Sequence, residues 1–166
     1  AQGKLISCDP NLRLPLWPDA DAAKEQMLWG LRQADVVKIS DEEVEFLFGL
    51  GVQDGAQYIL DHYPVKLVFV TCGADGCWFQ NCSASGHVDS LKGITVVDTT
   101  GAGDAFFAGA VIGQTYGKTM MESCEIGTRL AASVITTGEN VCPRYLPSEF
   151  GLDVSTVDDA QIALEF

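Results

Sequence analysis

The chain is poor in basic residues. Among 166 residues it has 10 lysines and arginines against 23 aspartates and glutamates, for a formal net charge of −13. A nucleic acid or an anionic membrane surface is normally bound through a basic patch, so this imbalance argues against both partners. A nucleotide stays possible, because its site is built locally from backbone N–H groups and a metal ion. In so acidic a chain, a polyphosphate ligand should depend on Mg²⁺.

Metal-ligand spacing and long apolar runs are also missing. No two cysteines form a C-x-x-C pair, so the spacing typical of a zinc site is absent. Their scattered positions indicate small buried side chains in a reducing cytosol and not a disulfide framework. They are Cys8, Cys72, Cys77, Cys82, Cys124 and Cys142. No signal peptide and no membrane-length apolar run is present, so we expect a cytoplasmic protein. The length predicts a single domain over residues 1–166.

Short apolar strands alternate with helical patterns along the chain. We expect strands at 4–8, 36–39, 65–71, 77–80 and within 85–97, and helices at 19–32, 40–47, 53–62, 102–113, 119–135 and 158–164. This alternation predicts an α/β protein with a mostly parallel sheet and helices on both faces. Ligands bind such sheets at the carboxyl ends of the strands. Asp9, Ser40, Thr71 and Asp98 each follow a predicted strand, so they should converge on one edge.

The most informative stretch is residues 98–104, Asp-Thr-Thr-Gly-Ala-Gly-Asp. It places a glycine-rich turn before a carboxylate at the predicted start of a helix. Such a turn leaves backbone N–H groups free to hold an anion, and the helix N-terminus adds about half a positive charge. Asp104 could accept a proton from a hydroxyl beside that anion, which is what phosphoryl transfer to an alcohol requires. An ordinary strand-to-helix connection is the alternative.

This stretch resembles the second signature of the PfkB (ribokinase-like) carbohydrate kinases. The resemblance implies a ribokinase-like fold and ATP-dependent phosphorylation of a sugar hydroxyl. It implies that Gly101, Ala102 and Gly103 form an anion hole for the transferred phosphoryl group and that Asp104 is the catalytic base. It also implies that the carbonyls of Asp98 and Thr100 are candidates for binding a monovalent cation, such as K⁺.

Three further segments carry the same resemblance. Asp9-Pro-Asn11-Leu-Arg13 is similar to a segment of fructokinases and 2-keto-3-deoxygluconate kinases, and Asn11 and Arg13 offer groups for phosphate oxygens. Ser40-Asp-Glu-Glu43 stands where many relatives have Asn-x-x-Glu, which makes Glu43 the metal-related candidate, although the pattern is also a helix capping box. The stretch 71–76 resembles a nucleotide loop through Thr71, Gly73 and Gly76, although a hairpin turn explains the glycines equally well.

The resemblance covers about residues 4–137 and matches only the carboxyl-terminal half of such kinases. The sequence is therefore expected to lack the amino-terminal half and the β-sheet lid, and with them most of the sugar pocket. A sheet without its first strands exposes an unpaired edge, so homo-oligomerisation is a further expectation. In the stretch 130–143 the chain departs from the pattern that relatives show near adenine, which leaves nucleotide preference open.

The leading hypothesis is a magnesium- and ATP-dependent sugar kinase, most similar to fructokinase, that phosphorylates the primary hydroxyl of fructose. Its partners would be ATP and a small sugar, not nucleic acid or a membrane. Within enzymes, a 2-keto-3-deoxygluconate kinase or another sugar or nucleoside kinase is the alternative. Outside them, a catalytically inactive nucleotide-binding fragment is the competing interpretation.

Overall fold

The computed structural model of the protein describes residues 4–137 and 146–152. The described chain forms two compact units. Among the described residues, the first comprises 4–72 and 77–86, and the second comprises 73–76, 87–137 and 146–152. The helix expected at 158–164 and Cys142 lie outside the described residues.

A sheet of five strands has the order β1-β2-β3-β4-β5. The strands are β1 (Ser7–Cys8), β2 (Val36–Ser40), β3 (Leu67–Thr71), β4 (Cys77–Asn81) and β5 (Ser85–Val88). β1, β2 and β3 are parallel, and β4 pairs with β3 as an antiparallel hairpin partner in the register Val68 opposite Gln80 and Val70 opposite Trp78. The expected mixed, mostly parallel α/β sheet is therefore confirmed.

Three helices belong to the first unit: α1 (Ala20–Leu31), α2 (Asp41–Phe48) and α3 (Val52–His62). α1 begins where the Asp19 carboxylate accepts the N–H of Ala22 at 2.8 Å, a side-chain N-cap. α2 begins at Ser40 in a capping box with Glu43 and ends at Gly49, which adopts the left-handed conformation with φ of 66°. These boundaries agree with the sequence expectations to within one or two residues.

The core of the first unit lies between these helices and one face of the sheet. Val37 and Ile39 of β2 and Val68 and Val70 of β3 are fully buried in it. The same cluster takes in helix residues Met27, Leu31, Val44, Leu47, Ala56 and Ile59. The alternate residues of both strands are buried as well, which is typical of strands covered on both faces.

The strands expected at 4–8 and 65–71 are shorter in the structure. The strand at 4–8 is reduced to Ser7–Cys8, and residues 4–6 are exposed. At Ile6 a side chain replaces the neighbouring strand as hydrogen-bond partner, because the Asp35 carboxylate accepts the Ile6 N–H at 3.0 Å. The same carboxylate forms an ion pair with Lys66, whose ammonium lies 3.1 Å from Asp35 Oδ1. The Ile6 N–H, followed by the hydrogen bond and charge of Lys66, lowers the pKa of Asp35. In the stretch 85–97 only Ser85–Val88 is a strand, because polar and turn-forming residues follow at 89–93.

The second unit is built on two helices, α4 (Ala102–Thr115) and α5 (Met120–Ile135). They pack closely because glycines face one another. A Cβ added at Gly109 would lie 2.9 Å from the Gly127 Cα, and one at Gly127 would lie 2.6 Å from the Phe106 carbonyl oxygen. The expectation that small residues on α4 serve close helix packing is therefore confirmed.

We predict that Gly127→Ala destabilises the protein. The added methyl group would meet the Phe106 backbone and force the helices apart, at a cost of about 1–3 kcal/mol for overpacking. Better helix propensity would return at most about 1 kcal/mol. Thermal unfolding should therefore show a Tm lower by a few degrees. Glu125→Ala, at an exposed position of the same helix, is the control and should change the free energy of unfolding by less than about 0.5 kcal/mol. An unchanged or higher Tm for Gly127→Ala would contradict the close-packing argument.

Within the described part of the chain, none of the helices is both long and apolar enough to cross a membrane. The cysteines there, Cys8, Cys72, Cys77, Cys82 and Cys124, are not part of a disulfide. The expected burial holds for Cys77 and Cys124, whereas Cys8 and Cys72 are half-buried and Cys82 is exposed. Burial, followed by the negative charge of Asp9 and Glu43, raises the pKa of Cys8.

Candidate active site

The turn before α4 is shaped by its own side chains. The Asp98 carboxylate accepts the N–H of Thr100 at 2.9 Å and its hydroxyl at 2.8 Å. These two hydrogen bonds lower the pKa of Asp98, so its side chain is ionised at neutral pH. The chain then closes with the Ala102 N–H donating to the Thr99 carbonyl at 3.2 Å. The Asp98 carboxylate is therefore engaged in shaping the turn.

Gly101 is the N-cap of α4 and has φ of 81°, a left-handed conformation that glycine adopts without steric cost. Because the N-cap has no side chain, it offers no acceptor to the first turn of the helix. Within residues 4–137 and 146–152, no acceptor is paired with the N–H of Gly103 or Asp104. Unpaired N–H donors at the positive end of a helix dipole are an arrangement that favours anions, and we call these two N–H groups the candidate anion cradle.

Asp104 is the third residue of α4 and is exposed. Among the described residues, none donates a hydrogen bond to its carboxylate or forms an ion pair with it. The equivalent residue of α5, Glu122, differs in this respect, because its carboxylate accepts the N–H and hydroxyl of Thr119 at 2.8 Å each. Asp104 therefore has both oxygens available to a substrate.

The far end of α5 anchors the turn. The carbonyl of Ile135, the last residue of α5, accepts the N–H of Val97 at 2.7 Å and that of Asp98 at 3.4 Å. A Cβ at Gly101 would lie 3.7 Å from Val134, an ordinary contact distance. The turn is thus fixed to the helix pair, and its glycine is required by backbone conformation and not by crowding.

In the first unit, the residues after β1 and β2 form a hydrogen-bonded cluster. The Lys38 ammonium of β2 lies 3.0 Å from Asp9 Oδ2, and both side chains are largely buried. Asp9 Oδ1 accepts the N–H of Asn11 at 3.2 Å. Asn11 is exposed and has φ of 47°, an uncommon conformation for a residue other than glycine.

Glu43 joins the same cluster from the first turn of α2. Its Oε1 accepts the N–H of Leu12 at 2.5 Å, and its Oε2 accepts the N–H of Ser40 at 2.9 Å. Arg13 follows and is exposed, with its guanidinium donating to the Leu12 carbonyl at 2.9 Å. Asn11, Arg13 and Glu43 are therefore brought together in the first unit, as are the strand ends that carry Asp9, Ser40 and Thr71. Asp98 belongs to the second unit.

The stretch 71–76 contains two left-handed glycines, Gly73 with φ of 54° and Gly76 with φ of 98°. A Cβ at Gly76 would lie 2.0 Å from the Val88 carbonyl oxygen, so packing and conformation both require glycine there. Gly73 faces open space. Thr71 is half-buried, and its hydroxyl donates to the Ile39 carbonyl at 3.5 Å.

Three residues of these clusters were missed by sequence reasoning. Lys38 is a lysine in an otherwise apolar strand, and that contrast is the signal that could have found it. The other two are Ser90 and Lys92, which both donate to the Ala74 carbonyl, at 2.5 Å and 3.1 Å. They fix the middle of the glycine turn to the segment that follows β5. Nothing in their local sequence predicted this pairing.

The described residues contain no cluster of metal-ligating side chains. No group of three or more His, Cys, Asp or Glu side chains in that part of the chain is arranged to hold an ion. Glu43 has a backbone N–H on each oxygen, and Asp98 is engaged by Thr100. Magnesium in phosphoryl-transfer enzymes is commonly held by one or two carboxylates together with substrate phosphates.

The chain is similar to known fructokinases in sequence. It is 39% identical over 156 residues to fructokinase-1 of Zea mays, covering 89% of this chain and 47% of that protein. It is 50% identical over 109 residues to probable fructokinase-6, chloroplastic, of Arabidopsis thaliana, covering 64% of this chain and 28% of that protein. The chain therefore spans less than half the length of these relatives.

The fold is similar to that of solved kinases. A fructokinase from Vibrio cholerae, in a form with fructose, ADP and calcium ion bound, superposes with a TM-score of 0.71 at 30% identity over 82% of this chain and 46% of that one. A putative ribokinase II from E. coli in complex with ATP and Mg²⁺ gives a TM-score of 0.74 at 25% identity, over 83% of this chain and 44% of that one. The ribokinase-like fold is thereby confirmed.

The profile described as "pfkB family carbohydrate kinase" matches residues 1–141, which include the 98–104 turn and the cluster around Asp9 and Glu43. With that match and the similarity to plant fructokinases, the chain belongs to the pfkB family of carbohydrate kinases.

Proposed function

We propose that this chain carries the phosphoryl-binding and proton-accepting part of an ATP-dependent fructokinase, which transfers the γ-phosphoryl group to the primary hydroxyl of fructose. The observation that supports this most is the start of α4. There, backbone N–H groups and a carboxylate that have no partner among the described residues stand within one helical turn of each other. Relatives named as fructokinases support the choice of sugar.

In the proposed mechanism, Asp104 accepts the proton of the sugar hydroxyl as its oxygen attacks the γ-phosphorus. The N–H groups of Gly103 and Asp104, supported by the conformation of Gly101, stabilise the charge on the phosphoryl oxygens as the bond to ADP breaks. Gly73 and Gly76 shape the loop proposed to lie beside the nucleotide. For the first unit taken by itself, Asn11 and Arg13 are proposed as groups for phosphate oxygens, with Arg13 offering a planar fork.

The cations are part of the proposal. Magnesium, bound mainly through the nucleotide phosphates, would neutralise their charge, as the ATP and Mg²⁺ complex of the E. coli neighbour suggests. The carbonyls of Asp98 and Thr100 are proposed to bind K⁺ and so to order the anion cradle. A form of the Vibrio cholerae fructokinase is described with potassium ion bound.

The test is ADP formation by this chain with Mg-ATP and K⁺, with and without fructose. We expect turnover that depends on fructose, and 2-keto-3-deoxygluconate and a nucleoside serve as competing acceptors. Turnover only with another acceptor would correct the substrate and keep the kinase. ATP binding with no turnover for any acceptor would contradict the proposed activity of this chain.

The second candidate is a nucleotide-binding fragment without kinase activity. It is favoured by one observation, the coverage of only 28–47% of the two plant relatives' lengths. Such a fragment would self-associate through the edge strand β1 and the exposed apolar Ile6 that precedes it in the chain. A size in solution that rises with concentration, together with nucleotide binding and no turnover, would support this candidate.

A further inference from the structure

Glu43 holds two segments of the first unit that are far apart in the sequence. Its side chain is buried, with 6% of the residue exposed. One carboxylate oxygen accepts the N–H of Ser40, three residues earlier, and the other accepts the N–H of Leu12, 31 residues earlier. The first bond is an ordinary capping box, but the second is not required by the helix. It fixes the middle of residues 9–13, which we call the 9–13 segment.

Lys38 holds the same segment from a second direction. It is 7% exposed, and its ammonium lies 3.0 Å from Asp9 Oδ2. The other oxygen of Asp9 accepts the N–H of Asn11, whose φ of 47° lies in the left-handed region that asparagine enters more readily than most residues with a side chain. The Asp9 hydrogen bond spans this residue and favours the turn. Two buried charged groups, one from β2 and one from α2, therefore determine the backbone that carries Asn11 and Arg13.

We propose that Glu43 and Lys38 are positioning residues that hold the 9–13 segment in its binding conformation, and that Glu43 acts on substrate affinity through this segment and not through a metal ion. The inference rests on the proposed function for the role of Asn11 and Arg13. It departs from the expectation that Glu43 is a metal-related residue. Each oxygen of Glu43 already accepts a backbone N–H, so a metal ion would have to use the lone pairs that these two hydrogen bonds leave over.

The first experiment measures amide hydrogen exchange by NMR in the 166-residue chain carrying Glu43→Gln. Glutamine has a single oxygen acceptor, so it cannot accept both N–H groups. Because a hydrogen bond to a charged group is lost, the Leu12 amide should exchange about tenfold faster or more, while amides of β3 keep their rates. Glu42→Gln is the matched control, since Glu42 is the exposed neighbour on the same helix turn, and it should leave Leu12 unchanged. An unchanged Leu12 rate in Glu43→Gln would overturn the proposal.

The second experiment separates substrate from metal in the kinase assay. Glu43→Gln should raise the KM for ATP, measured at saturating Mg²⁺, about tenfold or more, and should leave the Mg²⁺ concentration for half-maximal rate at saturating ATP unchanged. A higher Mg²⁺ requirement with an unchanged KM for ATP would overturn the proposal and show that Glu43 acts through the metal ion. If the unmodified chain has no turnover, the proposed function fails, and the amide exchange result alone decides whether Glu43 holds the segment.

Lys38→Met keeps the length of the side chain and leaves Glu43 in place, so it tests the proposal should Glu43→Gln fail to fold. Without the ammonium, Asp9 loses its partner on Oδ2, and the Asn11 amide should exchange about tenfold faster or more. Lys66→Met is the control, because Lys66 is an exposed lysine that pairs with Asp35 at the opposite end of the strands. Equal exchange at Asn11 in both variants would contradict the role of Lys38.

Discussion

Replacing Asp104 with asparagine should reduce fructose-dependent ADP formation by about 10²–10⁴-fold, the range that general-base catalysis usually contributes. Asparagine has nearly the same shape, but its amide cannot accept a proton from the sugar hydroxyl at neutral pH. Within the described residues the Asp104 carboxylate has no hydrogen-bond donor, so the substitution by asparagine breaks no contact there. The loss should therefore fall on kcat, with little change in the KM for ATP or in Tm.

Glu122→Gln is the matched control for Asp104→Asn. Glu122 occupies the same third position of its helix, α5, but its carboxylate is engaged in the capping box with Thr119. Its hydrogen bonds lower the pKa of Glu122, so neutralising it should lower Tm and leave kcat unchanged. The catalytic role of Asp104 would be refuted by Asp104→Asn retaining more than about a tenth of the wild-type rate, since that loss is far below the general-base range.

The sequence was sufficient where a local pattern determines the structure. Ser40 with Glu43 and Thr119 with Glu122 predicted the first residues of α2 and α5, because a capping box is defined by groups three residues apart. The alternation of strands and helices predicted the parallel sheet, and the glycine turn before Asp104 predicted the helix start at α4. In each case the interacting groups are neighbours in the chain.

The sequence was insufficient where the partner of a group is distant. The capping box of Ser40 and Glu43 satisfies one oxygen of Glu43, and no local pattern could show that the other accepts the Leu12 N–H. The pairing of Lys38 with Asp9 depends on β1 and β2 being adjacent and parallel. Within 85–97 the sequence predicted a strand but not its last residue, since the extent of a strand also depends on which backbone lies alongside it.

Replacing Gly101 with alanine should lower kcat by about 10²-fold, the lower end of the loss caused by removing one oxyanion-hole donor. Gly101 has φ of 81°, and a residue with a Cβ pays about 1–2 kcal/mol in the left-handed region. There is room for the methyl group itself, since its nearest neighbour, Val134, would lie 3.7 Å away. We expect the turn to relieve the strain by rotating its peptides, which would move the N–H groups of Gly103 and Asp104 away from the phosphoryl oxygens.

Gly117→Ala separates the effect on the anion cradle from the cost of the strain itself. Gly117 follows the other end of α4 with φ of 68°, and a Cβ there would meet nothing within 4 Å. The free energy of unfolding should therefore fall by a similar amount in both variants, whereas kcat should fall only in Gly101→Ala. Equal kcat in the two variants would mean that the N–H groups at the start of α4 do not stabilise the transferred phosphoryl group. A rate loss confined to Gly101→Ala, with an unchanged KM for ATP, is the result expected of donors that act mainly in the transition state.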